Sequence, residues 1–261
     1  MLQAGVVAAP RALPAVPLLS RLSARGWALI PLGSIVGVVF AIRYVSDTAT
    51  GLTYLALVAV PLLAALALGW SMSGARPWLA ALAVPLFALA WAARGSLSGE
   101  AAAALLSALS CVSLGVLLGA STPAAYLKVG ILLMTAADVW LVATDLLQAP
   151  NATLIAAAPA GGLPQLQSEL FGSVSLGYGD LFAAALLGAV LSRQARVQRR
   201  AALLTLAIAG LFDLMFFVVH ELPATVPVAL ALIVVEVWGR WPEQGPRREP
   251  RGSEARADRF N

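Results

Sequence analysis

Charge is what this sequence has least of. Only 11% of its 261 residues are Asp, Glu, Lys or Arg, against roughly 25% in a soluble globular domain. No long polar stretch occurs before the last twenty or so residues. That deficit excludes an ordinary water-soluble fold. Cysteine is scarcer still: Cys111 is alone, in an apolar run, which excludes a disulfide framework and a thiolate metal site. A single histidine leaves zinc chemistry almost without ligands. The start of the chain lacks the basic n-region of a secretory signal peptide.

What is there is apolar. Hydrophobic residues make up 60% of the chain and mean hydropathy is strongly positive. This composition predicts an all-α polytopic membrane bundle. Apolar runs bounded by turn residues fall at about 27–43, 51–70, 77–93, 101–119, 123–144, 172–192, 201–219 and 223–240, each near the ~20 residues needed to cross a bilayer. Residues 1–26 are broken by prolines and read as a cytoplasmic or interfacial segment, with room for part of a ninth span. Residues 27–119 read as scaffold helices and 120–240 as the chemistry-bearing half. Residues 241–261, charged and rich in Pro and Gly, read as a disordered cytoplasmic tail.

The net charge of +4 implies no nucleic-acid partner, because the arginines sort by loop. Eight spans put Arg11, Arg21, Arg25, Arg76, Arg193, Arg196, Arg199, Arg200, Arg240, Arg247, Arg248, Arg251, Arg256 and Arg259 on one side, and only Arg43 and Arg94 on the other. Lys128 falls within a span. Positive residues stay inside, so the C-terminus is expected in the cytoplasm and the loop 145–171 outside. The expected location is a prokaryotic cell membrane, with the lipid bilayer as the standing partner.

Four acids interrupt the apolar runs: Asp138, Asp180, Asp213 and Glu236. A charge at the bilayer centre costs at least ~2.5–3.5 kcal/mol on insertion scales, which makes intramembrane acids functional candidates. Glu236 stands four residues before Arg240 and reads as an interfacial ion pair, and Asp145 as an interfacial helix end. Asp213 reads as a structural or proton-handling group, with a place in the site as the other option. Asp138 and Asp180 are different. Asp138 lies about six residues, ~9 Å along a helix, from the outer end of its run, Asp180 lies a similar distance from the outer start of the next, and the two runs are consecutive and antiparallel. Two carboxylates at one depth do not both ionise cheaply. One keeps a proton while its partner acts as base, which is the arrangement for aspartic proteolysis and needs no metal or organic cofactor. Gly177 and Gly179 flank Tyr178 directly before Asp180. They leave room for a peptide backbone and loosen the helix start, and Tyr178 suits a wet boundary.

These residues resemble the GxGD intramembrane aspartyl proteases, the group of presenilin and signal peptide peptidase. "GYGD" (Gly177, Tyr178, Gly179, Asp180) fits the motif. "ADVWLVA" (137–143) is similar to the first catalytic helix, with Ala137 where the family has an aromatic. "ELPATVPVALAL" (221–232) resembles the Pro-Ala-Leu element, with Leu222, Pro223 and Ala224 matching and Thr225 where Leu is usual. Pro223 and Pro227 are expected to break the outer start of the last helix. The resemblance covers about residues 123–240. It implies a presenilin-like bundle of eight or nine helices with catalytic Asp138 and Asp180. Gly177, Tyr178, Gly179, Leu222, Pro223, Ala224 and Thr225 would line a membrane-helix or signal-peptide substrate. The orientation resembles signal peptide peptidase and is the reverse of presenilin. Two alternatives stand beside it. One is a prepilin-peptidase-like GxGD protease, with Phe182 where that group has Lys. The other is a proton-coupled carrier, or an inactive relative, using Asp138, Asp180 and Asp213 as a relay.

Overall fold

The structure, a computed structural model, describes residues 1–12, 29–44, 47–146, 148–157, 159–166, 168–171, 174–215 and 222–239. Arg21, Arg25, Glu221, Arg240 and the tail 241–261 lie outside the described residues.

The fold is mostly helical. In chain order the helices are α1 (Leu2–Ala8), α2 (Ile30–Tyr44), α3 (Thr48–Leu66), α4 (Ala83–Ala92), α5 (Leu97–Ser121), α6 (Ala124–Ala143), α7 (Gln148–Ala156), α8 (Tyr178–Leu191), α9 (Ala195–Met215) and α10 (Val226–Gly239). A π turn, Ala67–Ser71, extends α3, and a 3-10 turn, Pro77–Leu82, leads into α4. A helix therefore stands at each of the eight apolar runs. Three stretches, Thr48–Ser71, Leu97–Ser121 and Ala124–Ala143, are long and apolar enough to cross a membrane unaided.

Two elements depart from the sequence reading, and both shape the site. The run 172–192 is not one helix. Its first part is strand β2 (Val174–Gly177), paired antiparallel with β1 (Ser168–Phe171) so that Ser168 faces Gly177 and Phe171 faces Val174. Helix α8 begins only at Tyr178 and has 14 residues, ~21 Å at 1.5 Å per residue, well short of a ~30 Å hydrocarbon layer. The last helix likewise begins at Val226, after an irregular Leu222–Pro223 and a turn at Ala224–Thr225. Pro223 precedes this helix. Pro227 sits in its first turn, where a missing N–H has no partner to lose, so it does not break the helix as the sequence suggested. Non-helical backbone at membrane depth is tolerated where protein covers it.

Helix α5 is the hub. It packs against α3, α4 and α8 and carries β1 on its flank. Ser96 starts it, its hydroxyl accepting from the Gly99 N–H at 3.3 Å. At the α5–α8 crossing, a side chain at Gly115 would stand 2.8 Å from the Ala185 backbone, the small-residue contact by which membrane helices approach. A buried serine stripe at helical spacing ties α5 to its neighbours. Ser107 donates to the Leu166 carbonyl at 3.2 Å, Ser110 pairs with the Tyr178 hydroxyl at 2.7 Å, and Ser113 donates to the Leu63 carbonyl at 2.7 Å.

The N-terminal segment is built into the bundle. α1 packs against α8 and α9, with Val6 and Val7 buried. The Gln198 amide donates to the carbonyls of Val7 (3.0 Å) and Pro10 (2.8 Å). The approach is so close that a Cβ at Gly188 would lie 2.4 Å from the Val7 carbonyl oxygen. At seven residues α1 spans ~10 Å, too little to cross a bilayer.

Candidate active site

Asp138 is buried in α6, five residues before its end. That end is a Schellman stop. The Leu146 N–H donates to the Leu141 carbonyl at 3.0 Å, the Asp145 N–H donates to the Val142 carbonyl at 3.1 Å, and Asp145 takes a left-handed φ of 59°. Asp145, exposed, is thus a helix terminator. Asp is one of the few non-glycine residue types that accept this left-handed conformation readily.

Asp180 occupies the third position of α8 and is partly buried. Its Oδ2 accepts a hydrogen bond from the Gly177 N–H at 3.0 Å. The carboxylate caps an orphan amide at a helix start, where the dipole also favours negative charge. Gly177 has no side chain, so the reciprocal half of a capping box is missing. The backbone at Gly177 is ordinary, φ −73° and ψ 146°. Its glycine character matters for space: a Cβ there would sit 3.1 Å from Asp180 Oδ2. The glycine therefore keeps the carboxylate unencumbered, a more specific role than loosening the helix.

Helices α6 and α8 are in contact, so the helix that bears Asp138 lies against the one whose first turn bears Asp180. α10 touches both helices. The turn before it completes the arrangement. The Thr225 hydroxyl, fully buried, donates to Asp138 Oδ2 at 2.6 Å, and the Thr225 N–H points at the same oxygen at 3.4 Å. The position where this sequence departs from the Pro-Ala-Leu pattern is thus the one that binds the first aspartate. A leucine there has no hydroxyl to offer.

The remaining site candidates divide. Tyr178, half-buried, pairs through its hydroxyl with Ser110 of α5 at 2.7 Å, which ties the start of α8 to that helix. Gly179 lies in the first turn of α8, between Tyr178 and Asp180. Leu222, Pro223 and Ala224 are half-buried around the turn. The Ala224 carbonyl accepts from the Gln3 side-chain amide at 2.8 Å. Four backbone groups of the Leu222–Thr225 segment are therefore engaged within the protein: the Pro223, Ala224 and Thr225 carbonyls and the Thr225 N–H.

Two acids fall elsewhere. Asp213 is exposed on α9. Glu236 pairs with Lys128 of α6 at 2.5 Å, each partner about one-third exposed; the expected partner, Arg240, is outside the described residues. Lys128 lies ten residues before Asp138 and Glu236 eleven after Thr225. Both intervals are ~15–16 Å of helix, so α6 and α10 meet at two rungs in one antiparallel register.

Gln3 and Ser110 were not singled out from sequence, and Lys128 was noted there only as lying within a span. An amide, a hydroxyl and an ammonium in apolar runs are signals of the same kind as the acids, because each needs a partner when buried. No protein-family model matches the chain, and no curated protein or solved structure matches it either.

Proposed function

We propose that this chain is an intramembrane aspartyl protease of the GxGD kind that hydrolyses a peptide bond in a membrane helix or signal peptide, with Asp138 and Asp180 acting as one unit. The observation that carries the reading is the packing of the helix that bears Asp138 against the helix that starts at Asp180, with Thr225 of the Leu-Pro-Ala-Thr turn bonded to Asp138. In this reading one carboxylate, ionised, takes a proton from water as the water attacks the scissile carbonyl. The other, protonated, polarises that carbonyl and then supplies the proton that lets the amine leave. The Thr225 hydroxyl, a donor to Asp138, steadies its charged form.

A substrate helix must unwind before water reaches a carbonyl, and each backbone group freed in a dry site costs several kcal/mol if left unpaired. The β1–β2 hairpin runs directly into the Asp180 helix, which supports capture of the unwound segment by strand addition. The bundle is read as spanning the membrane eight times with the C-terminus in the cytoplasm, on the arginine distribution. Asp213 is exposed on α9, which favours the two-acid reading over the three-acid relay a carrier would use. The buried Phe182, where a prepilin-peptidase-like helix has Lys, sets that group apart.

The test is purified full-length protein in detergent incubated with a panel of membrane-helix peptides, with products read by mass spectrometry. Cleavage within the apolar stretch that disappears in Asp180→Asn is expected. Cleavage that survives this change sinks the proposal.

A further inference from the structure

The end of the bundle away from the aspartates carries a small pocket where α5 and α8 finish. Its polar walls are Arg11, Ser192 and Arg193; its apolar wall includes Gly119 and Ala189. The volume is about 50 Å³, room for three or four water-sized groups at ~10–15 Å³ each, which is the scale of one tetrahedral oxyanion. The corner that holds Arg11 is rigid. The Arg11 N–H donates to the Ser71 carbonyl at 3.2 Å, Pro10 pairs with Met72 as a bridge, and Gln198 grips the Val7 and Pro10 carbonyls. Ser192 spends its proton on the Ala189 carbonyl at 2.7 Å, so the charged side chains among the lining residues are those of Arg11 and Arg193. Among the described residues neither has a carboxylate partner, the one ion pair being Lys128–Glu236.

Two arginines, without a carboxylate partner among the described residues, line a pocket with an apolar opposite wall. Guanidinium forks match phosphate oxygens in bidentate geometry. Arg76 lies in the loop before the 3-10 turn, Arg193 in the turn between α8 and α9, and Arg196, Arg199 and Arg200 in the first two turns of α9, at the face that the positive-inside rule assigns to the cytoplasmic headgroup layer. Basic pockets between helices on that side suit anionic headgroups. We infer that this pocket binds the phosphate of an anionic phospholipid headgroup, with Arg11 and Arg193 as its ligands and the wall of Gly119 and Ala189 against the glycerol and first acyl carbons. The inference rests on the membrane reading of the chain and on no step of the proteolysis. The apolar wall favours a lipid over free phosphate, which has nothing to place there.

The experiment is native mass spectrometry of the full-length protein in neutral detergent, titrated with phosphatidylglycerol, with phosphatidylcholine, and with inorganic phosphate. Wild type is expected to retain one phosphatidylglycerol at least tenfold more tightly than phosphatidylcholine. At about fivefold per basic residue near a membrane surface, Arg11→Gln with Arg193→Gln should weaken that lipid ~30-fold. The charge-matched control, Arg199→Gln with Arg200→Gln, should change it less than threefold. Arg193 is exposed, so Arg193→Gln alone keeps the fold and carries the test at ~fivefold if the double variant does not assemble. Equal retention of the two lipids overturns the inference, as does an equal loss in the control pair, which means diffuse charge. Inorganic phosphate binding that depends on both arginines without any lipid preference overturns the lipid assignment. Lipid retention is read without substrate, so its failure is distinct from a failure of peptide cleavage.

Discussion

Replacing Thr225 with valine removes one hydroxyl and almost nothing else. The two side chains have nearly the same shape, and the site is fully buried, so little repacking follows. What is lost is the 2.6 Å bond to Asp138 Oδ2, leaving that oxygen with only the long 3.4 Å approach of the Thr225 N–H. A hydrogen bond to a charged group contributes ~1.5–3 kcal/mol, and each ~1.36 kcal/mol is tenfold in rate. The expected loss in kcat is therefore about 10- to 150-fold. Because Thr225 holds Asp138 with its hydroxyl, KM should stay within about twofold. Thr225→Ser keeps the donor and should stay within about threefold of wild type in kcat. The assay is initial-rate cleavage of a membrane-helix peptide in detergent, with thermal unfolding run in parallel to show that both variants fold. Thr225→Val with wild-type kcat refutes the claim that the hydroxyl supports the working state of Asp138.

Three other substitutions test separate parts of the arrangement. Gly177→Val meets no backbone penalty at φ −73° and ψ 146° but sets a branched side chain against Asp180 Oδ2, 3.1 Å from the added Cβ. Cleavage should fall at least tenfold with thermal stability nearly unchanged, and an unchanged rate contradicts the spacing argument. Gly188→Ala drives a Cβ to 2.4 Å from the Val7 carbonyl, an overpacking that costs ~1–3 kcal/mol, so the unfolding midpoint should drop by roughly 3–10 °C; an unaltered midpoint means α1 does not hold the bundle. Asp213→Asn, on an exposed position of α9, should leave peptide cleavage within about twofold, and its complete loss in a folded protein brings Asp213 into the chemistry.

The helices were legible because composition and run length report them directly: a helix lies at each predicted apolar stretch. Their interruptions were not. Residues 174–177 are as apolar as a helix start, and nothing in "VSLG" separates strand from helix by periodicity alone. The hairpin forms through its partner strand, a non-local cause. The two aspartates and the Leu-Pro-Ala turn stood out because a charge or a proline in a lipid-facing run has few bland explanations. Thr225 was noted as a mismatch, and its hydroxyl became meaningful only when α10 was packed beside α6. The reach of Lys128 to Glu236 and of Gln3 to Ala224 spans 108 and 221 residues. Such separations leave no trace in local spacing. The N-terminal segment was hardest, since α1 is too short to show a periodic pattern and owes its place to Gln198 and the gap over Gly188.

The account turns on Asp138 and Asp180 acting as one unit, and a comparison of wild type with Asp138→Asn, Asp180→Asn and the double change measures that directly. Residues that work together are not additive: removing one costs nearly what removing both costs. Wild type should cleave a membrane-helix peptide with a bell-shaped pH dependence, as a carboxylate pair sharing a proton gives. All three variants should fall to one common background rate while unfolding near the wild-type temperature. A wild type inert across the peptide panel, a single variant that retains cleavage, or two single losses that multiply to give the double loss contradicts the dyad.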